Sequence, residues 1–208
     1  SIPLLSFGNA NSILLDITDS GLSSAGIVLL ITGSSPDGFA FVENASMLCG
    51  NIDNVNLLND ADVKYVTLTW NAENEIGGGS ECQGVGLSQF GKDVVKELEN
   101  NCIAVDVSHA SDKLFYDVIK IARKPVIATH SNSRAVTDVK RNLTDEQFKI
   151  IRDMGGIVGI NFYKGFLNND ENKAVSSLDK KLEKEAAANK KVNEIYAMDP
   201  ELHGMTRF

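Results

Sequence analysis

The chain is poor in the residues that carry most recognisable chemistry. Its 208 residues include 3 His, 3 Cys, 4 Pro and 1 Trp. Cys49, Cys82 and Cys102 are irregularly spaced and odd in number. That spacing excludes a CxxC zinc site and a disulfide framework and favours a reducing, cytoplasmic setting. Basic residues are outnumbered: 20 Lys and Arg face 28 Asp and Glu, a formal net charge of −8. No basic patch is on offer to phosphates, so nucleic acid is excluded as a partner and an anionic membrane surface gains no support. No apolar run approaches the roughly 20 residues that span a bilayer; residues 25–31 fall well short. No basic segment opens the chain ahead of an apolar one, and a signal peptide already removed would leave no trace.

What remains is an ordinary globular composition, 43% apolar and 23% charged. At this length a single domain, residues 1–208, is expected. Strand-length apolar runs recur at 12–17, 26–31, 39–42, 64–69, 103–107, 126–129 and 156–160. Most are continuous, the pattern of strands buried on both faces of a parallel sheet. Helical periodicity fills the later gaps. Phe90, Val94 and Leu98 share a face in 88–100, and Leu114, Val118 and Ile121 share one in 111–123, where Ser111 is a natural N-cap. Thr144-Asp-Glu-Gln147 is a capping box opening 144–154, and Gly155-Gly156 closes that helix. The alternation predicts an α/β fold, either a barrel or a doubly wound sheet. Residues 169–195 are rich in Lys, Glu and Ala with a thin apolar face. They read as a lid-like helical excursion, with Ser177 capping a helix from Leu178. The glycine-rich run 77–86 lacks the GxxxxGK[ST] pattern and reads as a flexible loop.

Two of the histidines occupy equivalent places. His109 follows the run 103–107, His130 follows 126–129, and the helix 111–123 lies between them. This is one βαβ unit with a His at the carboxyl end of each strand. Neighbouring parallel strands run roughly 4.8 Å apart, and ligands of α/β folds collect at those ends. Both imidazoles should therefore reach one metal ion. Glu43 closes the run 39–42 in the same way. A His2Glu set is the protein half of a zinc hydrolase site with one position left open. Such zinc lowers the pKa of its water toward about 7 and polarises a scissile carbonyl. Arg141 lies beyond His130 in the loop before the capped helix, where a guanidinium suits a substrate carboxylate, although a surface arginine would read the same. Asn161 and Tyr163 follow another strand and would wall the same mouth. Asp106, Ser108 and His109 raise a Ser/His/Asp triad, but strand alternation puts Asp106 and Ser108 on one face and His109 on the other.

Read in order, the motifs are Val42-Glu-Asn44, Tyr65-Val-Thr-Leu-Thr-Trp-Asn71, Asp106-Val-Ser-His109, Lys124-Pro-Val-Ile-Ala-Thr-His-Ser-Asn-Ser-Arg134, Arg141-Asn-Leu-Thr-Asp-Glu-Gln147 and Gly155-Gly-Ile-Val-Gly-Ile-Asn-Phe-Tyr163. Their succession, from about Phe39 to Leu167, resembles the membrane (renal) dipeptidase family of zinc peptidases. The resemblance implies a (β/α)8 TIM barrel that cleaves dipeptides, often with a D-residue at the carboxyl end. It also implies two zinc ions bridged by a hydroxide that attacks the peptide carbonyl. Carried over residue by residue, Glu43 matches the carboxylate bridging both metals. His109 and His130 match the ligands of one zinc, and Arg141 matches the holder of the substrate's terminal carboxylate. Trp70, Asn71 and Tyr163 fall around the substrate, Trp70 standing where mammalian members carry a His.

The family's first strand ends in His-x-Asp, which supplies the other zinc. Here Asn9 and Asn11 take those places, and an amide is a poor zinc ligand. One zinc is therefore expected, with the second site degraded. The late strand that ends in a proton-shuttling Asp has no counterpart, and such a barrel typically needs about 250 residues. The expectation is an incomplete barrel of about six or seven strands: a zinc-dependent dipeptidase-like hydrolase of impaired activity. Its rivals are an inactive homologue that binds a peptide or partner, and a one-zinc hydrolase of another amide such as a lactam. Open strand edges invite pairing, so a homo-oligomer is a further expectation.

Overall fold

Val, Ile and Leu crowd the short runs that end near Glu43, Thr67 and Asp106, and these runs form the parallel sheet on which the site stands. The computed structural model describes residues 4–6, 13–15 and 40–198. It divides into two compact units, Ser1–Asn161 and Phe162–Phe208. In the first, β1 (Leu4–Ser6) pairs antiparallel with β2 (Ile13–Leu15). Then β3 (Ala40–Glu43), β4 (Val63–Thr67) and β5 (Ala104–Asp106) form a parallel sheet in chain order. The carboxyl ends stay level, with Glu43 opposite Thr67 and Thr67 opposite Asp106. The expected run 26–31 lies outside the described residues.

Beyond β5 the sheet continues through two parallel bridges, Asp106 with Ile127 and Ala128 with Val158. The apolar runs 126–129 and 156–160 predict full strands, and the structure corrects this to single bridges. The reason is local competition for backbone groups. The Thr129 N–H, which would continue a ladder, donates instead to Asp106 Oδ1 at 3.1 Å. The last two segments approach so closely that a β-carbon on Gly159 would collide with the Thr129 carbonyl oxygen. The described residues thus show a mixed α/β fold with a small parallel sheet.

The helices cover this sheet. In α1 (Asn54–Asp60) only Val55 and Leu58 are buried, too brief a pattern to be read from sequence. In α2 (Gln89–Asn100) Val94, Val95 and Leu98 face the core, and the Ser88 hydroxyl accepts from the Gly91 N–H at 2.8 Å. In α3 (Asp112–Ile121) Leu114, Phe115 and Val118 are buried, and Ser111 caps Leu114 at 2.9 Å. That helix stops short of Arg123 because Glu99 Oε1 takes the Arg123 and Lys124 N–H groups at 2.7 and 2.9 Å. In α4 (Asp145–Asp153) the capping box forms as read from sequence, at 3.2 and 2.8 Å.

The second unit holds a short 3-10 turn, Lys164–Phe166, and α5 (Asn169–Met198). Asn168, not Ser177, caps this helix, its side-chain oxygen accepting from the Asp170 N–H at 2.7 Å. Ser177 sits inside the helix and donates back to the Lys173 carbonyl at 2.8 Å. Among the described residues no helix is long and apolar enough to cross a membrane.

The glycine-rich segment 77–86 is packed, which corrects the expectation of a flexible loop. A β-carbon on Gly79 would strike the carbonyl oxygens of Trp70, Asn71 and Ala72. Asp117 on α3 holds the end of this segment: Oδ2 accepts from Lys113 at 2.9 Å and from the Leu87 N–H at 3.3 Å, and Oδ1 from Lys120 at 3.1 Å. The Lys113 bond, opposed by burial and helped by Lys120 and Leu87, brings this carboxyl from 3.8 down to about 2. A carboxyl lowered in the folded state stabilises above its unfolded pKa and loses that effect as pH falls toward the folded value. Asp117→Asn is expected to cost about 1 kcal/mol at neutral pH. Urea denaturation should show the gap from wild type closing as pH is taken down toward about 2.

Candidate metal centre

Three side chains meet above the level carboxyl ends of the sheet. Glu43 is the last residue of β3. His109 stands just past β5, where the Ala110 N–H turns back to the Val107 carbonyl at 3.1 Å. His109 itself takes a left-handed conformation, φ 67°, which costs a non-glycine residue about 1 kcal/mol. Two bonds hold it there: the Thr69 hydroxyl donates to the His109 carbonyl at 3.4 Å, and Asn71 Oδ1 lies 2.9 Å from His109 Nδ1. His130 follows the bridge at Ala128, its N–H donating to Ser108 Oγ at 3.1 Å.

His109 Nε2 lies 3.1 Å from Glu43 Oε1, His130 Nε2 lies 3.5 Å from the same oxygen, and the two Nε2 atoms are 2.9 Å apart. These are the three groups that could hold a metal ion among the described residues. Ligands about 2.0–2.1 Å from a tetrahedral zinc stand about 3.3 Å from one another, and the three separations bracket that spacing. Protonation suits the same role. Close contact with the His109 ring and then the His130 ring, against the pull of burial, holds the Glu43 carboxyl well below the ordinary carboxylate range. Burial lowers the His109 pKa, the contact with Glu43 opposes this, and Arg141 and His130 add to the lowering. An ionised carboxylate beside a neutral imidazole is what metal binding requires.

The other sequence candidates fall at different places. Asn71 holds the His109 ring from behind. Trp70 is 53% exposed, its ring 6.2 Å from that of His109. Arg141 is only 9% exposed, and its Nη2 donates to the His130 carbonyl at 3.3 Å. Burial brings its pKa down to about 10 against the pull of Asp106 and Glu43, so it stays cationic at neutral pH. A cavity no larger than a water molecule is lined by His109, Ser131, Arg141 and Gln147, among others. Asn161 accepts from the Asn132 side chain at 2.7 Å. Tyr163 belongs to the second unit, its ring 4.8 Å from Phe166. Asn9 and Asn11 lie outside the described residues.

Asp106 does not pair with His109, as strand alternation predicts. Its Oδ2 accepts from the Thr67 and Thr129 hydroxyls, both at 2.6 Å, and its Oδ1 from the Ser108 and Thr129 N–H groups at 2.9 and 3.1 Å. Sequence reasoning passed over Thr67 and Thr129. The available signal was a hydroxyl inside a continuous apolar run, since a buried hydroxyl needs a partner.

A family model described as membrane dipeptidase, peptidase family M19, matches residues 39–189. The chain belongs to this family. A relative from Acinetobacter calcoaceticus, the "Uncharacterized protein in PQQ-III 3'region", is 36% identical over 150 residues, 68% of this chain and 48% of its own. An uncharacterised dipeptidase of Schizosaccharomyces pombe is 33% identical over 112 residues, 50% of this chain and 26% of its own. Among solved structures, a metallopeptidase from Rhodobacter sphaeroides, liganded with a phosphinate mimic of the dipeptide L-Ala-D-Ala, superposes with a TM-score of 0.60 at 33% identity. That match covers 62% of this chain and 39% of the other. The chain thus spans about half the length of the first curated relative or less in each case.

The sole tryptophan offers a direct reading of this candidate metal centre. With Trp70 6.2 Å from His109, titrated Co(II) is expected to quench Trp70 fluorescence, and His109→Ala to abolish the quenching.

Proposed function

We propose that this chain carries the metal-binding part of a zinc-dependent dipeptidase. In this reading β3, β4, β5 and the bridged segments at Ile127 and Val158 are consecutive staves of a (β/α)8 barrel. The convergence of Glu43 Oε1, His109 Nε2 and His130 Nε2 carries the proposal. Two imidazoles and a carboxylate make a borderline-soft set that suits zinc. Zinc, when bound there, supplies Lewis acidity that polarises a carbonyl and acidifies water.

The chain's own groups would do the rest. Glu43 stays ionised, as a carboxylate ligand must, and its negative charge helps to hold the ion beside the two imidazoles. Arg141, cationic and close to the His130 carbonyl, would draw a substrate carboxylate toward the site and so fix which carbonyl is presented. Trp70 offers an exposed aromatic face beside His109, and Asn71 acts through the His109 ring. The Rhodobacter peptidase binds a phosphinate mimic of L-Ala-D-Ala, and a tetrahedral phosphinate imitates the adduct of a peptide carbonyl. A small dipeptide with a D-residue at its carboxyl end is the substrate class we assign.

Asn9 and Asn11 support one zinc and a lowered activity, since amides are poor partners for a second ion. The same two residues favour the second reading, a homologue that binds a dipeptide without cutting it. Metal analysis of purified protein is the first test. Wild type is expected to retain zinc, and His109→Ala and His130→Ala each to bind it at least about tenfold more weakly. Unchanged zinc content in both variants would refute the proposal. Release of free alanine from L-Ala-D-Ala supports hydrolysis, whereas saturable binding without release supports the second reading.

A further inference from the structure

We propose that Asp106, acting through the Thr129 hydroxyl, sets the tautomer of His130 and so turns its Nε2 lone pair toward Glu43 and His109. The inference rests on the metal-centre reading for its purpose, but its chemistry is independent of any ion. Asp106 is fully buried, and each of its oxygens accepts two hydrogen bonds. An ionised carboxylate can only accept, and a hydroxyl has a single hydrogen to give. Thr129 gives that hydrogen to Asp106 Oδ2 at 2.6 Å, the short distance of a charge-assisted bond. The same Thr129 oxygen lies 2.8 Å from His130 Nδ1. Having no hydrogen left for the ring, it must accept from it. His130 therefore carries its proton on Nδ1, and the neutral ring leaves Nε2 bare.

The neighbouring ring obeys the same logic by another route. Asn71 Oδ1 lies 2.9 Å from His109 Nδ1 and also accepts from the Ser80 hydroxyl at 3.2 Å. His109 Nε2 is then bare as well. Two nitrogen lone pairs face each other at 2.9 Å, with the Glu43 oxygen at 3.1 and 3.5 Å. No hydrogen remains among these atoms to join them, and like partial charges this close repel unless a cation lies between them. Asp106 and Thr129 are thus positioning residues: they act through the His130 ring, for which no side-chain amide partner is found among the described residues.

Thr67 makes the proposal separable from a purely structural role. Its hydroxyl reaches the same Asp106 oxygen at the same 2.6 Å but touches neither ring. A buried carboxylate that merely ties the sheet together would feel the loss of either threonine alike.

The test uses metal-free and zinc-loaded full chain at about pH 8, where imidazoles are neutral. Long-range nitrogen–proton NMR on the metal-free protein reads the His130 tautomer, and competition with a chromophoric chelator reads the zinc Kd. Wild type is expected to show the Nδ1–H form. Thr129→Val should move His130 to the Nε2–H form and weaken zinc about 10- to 100-fold. Thr129→Ser should restore both readings to within about threefold of wild type. Thr67→Val should lower stability and leave tautomer and zinc Kd as they are. An Nε2–H tautomer in wild type overturns the inference, even if Thr129→Val does not fold. So does a folded Thr129→Val protein with unchanged tautomer and Kd. A wild-type Nδ1–H tautomer in a protein that binds no zinc would refute the metal-centre reading and uphold the relay.

Discussion

A carboxylate sealed from water, Asp106, is the constraint to which the sheet and the site both answer. Burying a charge costs several kcal/mol unless hydrogen bonds replace its water. Here the replacements come from Thr67 on β4, from Ser108 just past β5 and from Thr129 on the next segment. Each donor must stay within bonding distance of one small group, so three successive carboxyl ends are held level. A slip of one segment would leave the charge uncompensated, which is far costlier than a lost surface contact. The rigidity that fixes Thr129 also fixes the ring next to it.

The site above is held together by groups of opposite tendency. Burial favours neutral imidazole at His109, while the paired rings favour ionised Glu43. Arg141 adds a buried cation that lines a small cavity together with His109. Where they are withdrawn from water, these charges interact more strongly than they would in bulk solvent. The cost of assembling them falls on local backbone: His109 adopts a left-handed turn, and Gly79 must lack a side chain for the segment under Trp70 and Asn71 to close. Strain at such a place is common where side chains are aimed for chemistry.

Local rules served well wherever a short stretch decided its own structure. Ser88, Ser111 and Thr144 cap their helices because a hydroxyl next to an apolar periodic run satisfies free N–H groups nearby. They failed where a distant partner intervened. The run 126–129 lost its ladder to Asp106, the helix 111–123 lost its last turn to Glu99, and the glycine segment was tightened by Asp117 and by the Trp70–Ala72 backbone. The cap expected at Ser177 gave way to Asn168, since the helix begins earlier than its thin apolar stripe suggested.

The amino-acid order alone determined that a Glu and two His follow three apolar runs separated by amphipathic helices, because burial and periodicity act over neighbouring residues. It therefore determined which residues could meet, and the family that the motifs resemble. Only the tertiary structure decided how they meet. Strand alternation turns His109 away from Asp106 and Ser108 as a matter of faces; a left-handed residue and the Asn71 amide, 38 positions away in sequence, then aim the ring. The Asp106–Thr129 bond spans 23 positions. Hydrogen bonds between chain segments so far apart leave no mark on local pattern, and they are what set direction and proton position at this site.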